Sequence, residues 1–244
     1  GDNIKKTRIM EEDVMERPIV IDERRQEVVQ ELMRNVYMWM TGGLALTGVI
    51  AWIVANSPAI LSFIYGSSVV VYGLLIGELV LVIGLSMFIE KMRFGVAAIM
   101  YTIYCVVNGA TLSSIFLVYE IASIAEIFFV TSGAFAVLAI IGSFTKKDLS
   151  RLGTFLIFAL AGLIIASIVG MILGRPENIW MSAIGVLIFA GLTVYDAQKI
   201  RQLMLNEETI NEGNMKLALL GALSLYLDFI NILLRLLSLF GKRK

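Results

Sequence analysis

Seven long apolar runs, separated by short polar connections, make up most of the chain. Each is close to the roughly 20 residues that a helix needs to cross about 30 Å of hydrocarbon. The runs lie near residues 36–55, 69–89, 94–118, 124–142, 153–173, 179–196 and 217–240. They lack the period-2 alternation of strands, so each run predicts a helix whose backbone groups are satisfied internally. We therefore expect an all-α membrane protein with seven transmembrane helices.

A charged segment precedes the first run. Residues 1–35 contain nine acidic and seven basic side chains, and the composition changes abruptly at Val36. We take this change as the boundary between water and membrane. The expected organisation is a charged cytoplasmic segment over residues 1–35, followed by one membrane domain over residues 36–244.

Lys and Arg alternate between the two sides of the predicted membrane domain. Fifteen of the twenty basic residues precede the first run or lie between runs two and three, four and five, or six and seven, and the other connections contain only Arg175. The positive-inside rule then predicts a cytoplasmic N-terminus, with Pro58 and Pro176 in outer connections. Seven full crossings would place the basic residues 242–244 outside, which the rule disfavours. Either the last helix crosses fully, or it is a central or re-entrant element that returns to the cytoplasmic face; we favour a buried central helix.

The composition agrees with a membrane protein. Hydrophobic residues make up 58% of the chain and charged residues 16%, whereas a soluble domain averages about a quarter charged. The twenty basic and twenty acidic residues leave no net charge, so nothing indicates a nucleic-acid partner. Histidine is absent and Cys105 is the single cysteine, which excludes Cys/His zinc sites, Ser-His and Cys-His catalytic pairs and internal disulfides. We expect no cofactor.

Three carboxylates lie within or at the ends of the predicted membrane helices. Glu78 is near the middle of the second run, Asp228 near the middle of the seventh, and Asp196 at the cytoplasmic end of the sixth. A charge inside the membrane costs at least about 2.5 to 3.5 kcal/mol, so each acid needs a reason to be there. The helix of Glu78 has no cation before Lys91, so we expect a protonated carboxyl that can carry a proton or bind a cation. Gly77, next to it, and Gly84, seven residues further on, indicate a close helix approach.

The last helix carries a polar stripe. Ser224, Asp228, Asn231 and Arg235 fall within roughly 60° of one another on a helix, and leucines cover most of the remaining surface. Asp228 and Arg235 are about 10 Å apart along the axis, too far for a direct bond, so their partners should be on other helices. The stripe indicates either an ion path or a buried structural cluster that fixes packing.

The third run has a weaker polar stripe. Tyr101, Tyr104, Asn108 and Thr111 lie within roughly 80° of arc. Hydroxyl and amide groups between membrane helices usually stabilise packing, by about 0.5 to 2 kcal/mol each. We favour that role for this stripe over a functional one.

Three short motifs resemble one known family. They are Tyr-Asp-Ala-Gln-Lys-Ile at 195–200, Leu-Tyr-Leu-Asp-Phe-Ile-Asn at 225–231 and Asn-Gly-Ala-Thr-Leu-Ser at 108–113. Together, and at matching helices, they resemble the Bax inhibitor-1 family, particularly its bacterial branch. The resemblance implies seven helices arranged around a central C-terminal one. It also implies a pH-sensitive calcium leak through the bacterial cytoplasmic membrane.

The same resemblance implies roles for individual residues. Asp196 and Asp228 match a hydrogen-bonded pair that senses protons, Glu78 resembles the pore acid of the second helix, and Lys91 or Arg93 is expected near the pair as its cation. Two carboxylates in a low dielectric cannot both ionise cheaply, so they should share one proton. Calcium, the expected permeant ion, would be bound transiently by the three acids, since it prefers oxygen ligands. The expected ion path and gate comprise Glu78, Asn108, Asn231 and Arg235.

Other functions fit the sequence less well. An intramembrane aspartyl protease uses a Gly-x-Gly-Asp context, whereas Asp228 follows Leu-Tyr-Leu at 225–227, and no Pro-Ala-Leu follows. A retinal protein needs a lysine on the last helix, and the seventh run has none. We therefore expect no enzymatic activity. The alternative hypothesis is a regulatory membrane protein that restrains a membrane protease or stress response, with the charged N-terminal segment as its docking site.

Overall fold

A computed structural model describes the backbone of residues 2–175 and 178–244 and the side chains of residues 23–175 and 178–244. Over these residues the chain is almost entirely helical, with a 3₁₀ turn at Ile89–Lys91 and one isolated β-bridge between Tyr119 and Arg243. The helices are α1 (Asp2–Ala55), α2 (Pro58–Tyr65), α3 (Ser68–Phe88), α4 (Phe94–Leu112), α5 (Ser114–Val118), α6 (Ile121–Phe144), α7 (Ser150–Ile172), α8 (Ile179–Met204) and α9 (Glu212–Phe240).

Seven of the helical segments in the described part are long and apolar enough to cross a membrane. They are α1 from Glu23 onward, α3, α4 together with α5, and α6 to α9. Of the apolar stretch of α9, 67% is buried, against 6% in α3 and 11% in α7. The prediction of an all-α membrane protein with a central C-terminal helix is confirmed.

The N-terminal half of α1 differs from the expected organisation. One helix continues from Asp2 to Ala55, without a break at residue 35. Glu, Gln and Arg, common over residues 23–34, are strong helix formers, so the polar segment extends the membrane helix instead of ending it. The division into two parts at residue 35 stays a prediction. Pro58 begins the short helix α2, where its fixed φ suits a first turn, and Pro176 lies outside the described residues.

One end of α9 is attached to the connection between α3 and α4. The side chains of Asn211 and Asn214 each accept a hydrogen bond from the other residue's backbone N–H, at 3.0 and 2.9 Å, forming a capping box. Glu212 Oε1 accepts a hydrogen bond of 2.7 Å from the backbone N–H of Phe94, the first residue of α4. Lys216 donates to the carbonyl oxygen of Met92, at 3.1 Å.

The other end of α9 lies at the far side of the bundle, beside the connection between α5 and α6. The N–H of Glu120 donates to the carbonyl of Lys242 at 2.9 Å, and the N–H of Lys244 donates to the carbonyl of Val118 at 3.0 Å. With 29 residues, α9 is about 43 Å long. The last helix is therefore long enough to cross fully, and its two ends lie at opposite ends of the bundle, which favours a full crossing over a re-entrant element. Backbone hydrogen bonds attach the basic residues 242–244 to the α5–α6 connection. The positive-inside rule counts only charges, so it cannot detect this attachment.

A close contact between α6 and α8 depends on Gly142. A Cβ at this position would collide with the carbonyl oxygen of Val194, whereas a Cβ at Gly133, on the same helix, would meet no atom within 4 Å. We expect Gly142→Leu to lower the free energy of unfolding by about 1 to 3 kcal/mol through overpacking. Thermal unfolding in detergent measures this, with Gly133→Leu as the matched control. Equal midpoints for the two variants would show that α6 and α8 are not in tight contact.

Candidate functional site

Two carboxyl groups meet between the central helix and α8. The carboxyl groups of Asp196 on α8 and Asp228 on α9 lie close enough to interact, and Oδ2 of Asp228 is buried without a hydrogen-bond partner among the described residues. Asp228 is only 4% exposed, and Asp196 is partly buried. A hydrogen bond between two carboxyl groups requires that one of them carries a proton. The structure thus brings together the two residues expected to form a pair, here called the aspartate pair.

A small cavity reaches the aspartate pair from one side. It has a volume of about 270 Å³ and is lined by Asp196, Lys199 and Ser224, and by Ser86 of α3. Asp196 thus faces a partly polar space, whereas Asp228 lies deeper in the bundle.

One cation near the aspartate pair is not among those expected from the sequence. Lys199, one turn beyond Asp196 on α8, interacts electrostatically with its carboxylate. Lys91 and Arg93 are exposed on the α3–α4 connection, and the Lys91 ammonium lies 5.9 Å from the centre of the Phe88 ring. Lys199 is thus a cation beside the pair, on the same helix as Asp196, and the proximity of Lys91 or Arg93 to the pair stays a prediction.

The polar stripe of α9 faces α8. Besides the contact between the aspartates, Ser182 donates a hydrogen bond to Ser238 at 3.1 Å, and the Arg235 guanidinium packs against Gly185. The amide of Asn231 donates to the carbonyl of Leu227 in its own helix, at 2.8 Å. In this conformation the stripe therefore lies along a helix–helix interface and not along an open pore.

Arg235 also borders a second cavity. This space, of about 700 Å³, lies where α7, α8 and α9 meet and is also lined by Arg175 and Asn178. Arg235 is seven residues after Asp228, so it lies about 10 Å further along the helix axis, toward the end of α9 beside the α5–α6 connection.

A second polar cluster surrounds Glu78, on the side of α3 that faces α4. Thr111 donates a hydrogen bond of 2.6 Å to Glu78 Oε1, and the amide of Asn108 donates to Oε2 at 3.4 Å. Both donors are neutral, and both belong to the polar stripe for which the sequence indicated packing. A Cβ at Gly77 would meet no atom within 4 Å. Gly77 itself is therefore not at a close helix contact, whereas a Cβ at Gly84 would lie 3.4 Å from the Met100 side chain of α4.

The cluster continues from Glu78 to the central helix and to α1. The hydroxyl of Tyr226 donates to Asn108 Oδ1 at 3.0 Å, and Thr47 Oγ1 lies 2.6 Å from the same hydroxyl. Tyr226 is 0% exposed and Thr47 2%. We call these five residues the glutamate cluster: Glu78, Asn108, Thr111, Tyr226 and Thr47. It joins four helices, and sequence reasoning missed Tyr226 and Thr47.

The two polar sites lie on opposite faces of α9 at nearly the same depth. Tyr226 and Asp228 are two residues apart, which corresponds to about 200° around a helix. No group of three or more His, Cys, Asp and Glu side chains comes together in the described part of the chain. Glu78 and the aspartate pair therefore do not form a common metal centre. The central helix is the structural connection between them.

Comparisons with known proteins agree on one relationship. The family model described as inhibitor of apoptosis-promoting Bax1 matches residues 29–244. The inner membrane protein YbhL of Escherichia coli K12 is 44% identical over 218 residues, which cover 88% of this chain and 93% of that protein. Uncharacterized proteins of Deinococcus radiodurans and Borreliella burgdorferi are each 34% identical, over 94% and 93% of this chain and 98% and 99% of their own lengths.

Proposed function

Because the chain belongs to the Bax inhibitor-1 family of integral membrane proteins, we propose that it is a pH-sensitive calcium-permeable leak channel of the bacterial cytoplasmic membrane. The observation that carries the proposal is the aspartate pair, in which two carboxyl groups face each other across the interface between α8 and the central helix. The hydrogen bond between Ser182 and Ser238, which also joins these two helices, involves neutral groups. The aspartate pair, in contrast, can change charge by losing one proton.

The shared proton determines whether α8 and α9 attract or repel each other at this point. With one proton the pair is a charge-assisted hydrogen bond, which is among the stronger kinds. Without it, two like charges face each other in a medium of low dielectric constant, where repulsion is much larger than in water. The cavity beside Asp196 provides a route by which the proton can exchange. Deprotonation therefore favours a conformation in which the two helices separate.

The glutamate cluster provides the oxygen atoms for the permeant ion. Calcium is a hard cation that binds carboxylate, carbonyl and hydroxyl oxygens, and Glu78, Asn108, Thr111 and Tyr226 present such atoms within one hydrogen-bonded chain. Because Tyr226 and Asp228 are on the same rigid turn of α9, a displacement at the aspartate pair also moves Tyr226. We propose that this movement breaks the bond to Asn108 and opens a path past Glu78.

The direction of the pH dependence follows from the number of protons that the aspartate pair binds in the closed and in the open conformation. The closed conformation retains the shared proton and the open one releases it, so opening is favoured as the pH rises. One proton changes the equilibrium by at most about tenfold per pH unit.

Calcium influx into liposomes containing the purified protein and a trapped calcium indicator tests the proposal. We expect a leak that exceeds that of protein-free liposomes and increases from pH 6 to pH 8, by up to about tenfold per unit. Liposomes containing the same protein but no calcium gradient control for drift of the indicator. A flux equal to that of empty liposomes throughout this range, or one that falls with rising pH, would contradict the proposal.

A further inference from the structure

A long apolar groove runs between α1 and α6, with Phe229 of the central helix at its base. Its volume is about 1120 Å³, and on α1 it extends from Val29 to Trp52. These 23 residue steps correspond to about 35 Å, enough to span the roughly 30 Å of the hydrocarbon layer. The groove is thus a concave part of the membrane-facing surface, unlike the convex apolar faces of α3 and α7. We call it the α1–α6 groove.

One end of the groove carries a positive charge. Among the described residues that line it, Arg201 is the only charged side chain, and no acid accompanies it. Arg201 Nη1 donates to the carbonyl oxygen of Ser143 at 2.5 Å, and the guanidinium lies 4.7 Å from the centre of the Phe144 ring. These contacts fix the guanidinium at the end of α6, where the helix meets the α6–α7 connection.

The same end has hydrogen-bond donors for an anion. Arginine has five N–H donors, of which Ser143 takes one in this arrangement. The Ser143 hydroxyl, which also lines the groove, is buried without a hydrogen-bond partner among the described residues. A guanidinium and a hydroxyl at the boundary of an apolar groove match a phosphate group attached to hydrocarbon chains.

We propose that the α1–α6 groove binds an anionic phospholipid, with its phosphate at Arg201 and its acyl chains along α1 and α6. The chains would lie over Phe135 and Phe229, which pack against each other with ring centres 5.5 Å apart. An apolar helix of a second copy is the less favourable occupant, because it would cover the Arg201 charge without supplying an anion. Phe229 follows Asp228 directly, so the bound lipid also contacts the central helix next to the aspartate pair.

Electron paramagnetic resonance of spin-labelled lipids tests the headgroup site. The protein is reconstituted in phosphatidylcholine with a trace of labelled phosphatidylglycerol or labelled phosphatidylcholine, and the fraction of immobilised label is measured. We expect the parent to select phosphatidylglycerol, and Arg201→Gln to lower that selectivity by roughly fivefold, the usual effect of one basic residue at an anionic lipid. Arg151→Gln is the matched control, since Arg151 is exposed beside the same connection and does not line the groove.

A second pair of variants tests the groove itself. Ala136 and Ala134 are both exposed on α6, but only Ala136 lines the groove. Ala136→Phe should reduce the immobilised fraction of both labelled lipids, and Ala134→Phe should leave it unchanged. Unaltered selectivity in Arg201→Gln, an equal loss in Arg151→Gln, or equal effects of the two phenylalanines would overturn the assignment. So would a dimer in light scattering that Ala136→Phe converts to a monomer, because a second copy would then occupy the groove.

Discussion

Asp196→Asn and Asp228→Asn are each expected to remove most of the pH dependence of the calcium leak. Asparagine keeps the size of the side chain and can still hydrogen-bond to the remaining carboxyl group, so the contact between α8 and α9 is preserved. The remaining acid has no like-charged neighbour, and its ionisation no longer pushes the helices apart. In the liposome assay we expect a low leak that differs by no more than about twofold between pH 6 and pH 8, against up to tenfold per unit for the parent.

The controls for this prediction distinguish the pair from a general effect of charge. Glu90→Gln removes an exposed carboxylate outside the pair and should keep the parent profile. The double variant Asp196→Asn/Asp228→Asn should resemble each single variant, because residues that act as one unit do not have additive effects. An unchanged pH profile in both single variants would exclude the aspartate pair as the sensor, even if the leak itself is present.

The sequence predicts the seven helices for a physical reason, whereas the pairing of Asp196 with Asp228 is implied by the family resemblance. Apolar length determines whether a helix can cross a membrane, and an acid inside it is costly enough to require a partner. Periodicity places a residue on a face of its helix, but it does not identify the neighbouring helix. Tyr226 illustrates the limit. Between Leu225 and Leu227 it has the pattern of a packed aromatic residue, and only the fold brings its hydroxyl to Asn108 and Thr47.

Two glycines and two sets of cations illustrate the same limit. Gly77 and Gly142 both lie inside apolar helices, yet only Gly142 is at a close contact, because α6 packs on α8 while α3 is peripheral. Lys91 and Arg93 were expected near the aspartate pair on the basis of a family pattern. Lys199, three residues after Asp196 and so on the same side of α8, interacts with its carboxylate, a contact that spacing alone could have indicated. Contacts within one helix can be predicted from the spacing of residues in the sequence. Contacts between helices can be predicted only when the packing of the helices is known.

Glu78→Gln is expected to lower the calcium leak by about tenfold, with little change in its pH profile. Glutamine can still accept the hydrogen bond from Thr111, so the connection between α3 and α4 remains. Unlike the Glu78 carboxyl, glutamine cannot release a proton to give the negative charge that binds an entering divalent cation, and interactions with a charged group are typically worth about 1.5 to 3 kcal/mol. Because the aspartate pair is intact on the other face of α9, opening should still depend on pH. Calcium influx measured at pH 6, 7 and 8 gives both the size of the leak and its pH dependence in one experiment.

Tyr226→Phe separates the charge of the glutamate cluster from its hydrogen bonds. This variant removes the hydroxyl that bonds to Asn108 and lies next to Thr47, but it leaves the Glu78 carboxyl in place. If the bond to Asn108 holds the path closed, as proposed, Tyr226→Phe should raise the leak at pH 6 while Glu78→Gln lowers it at every pH. Parent-like flux in Glu78→Gln would place the ion path elsewhere. A fall in both variants would mean that the cluster stabilises the fold without forming a gate, and thermal unfolding of the two proteins would then show a matching loss of stability.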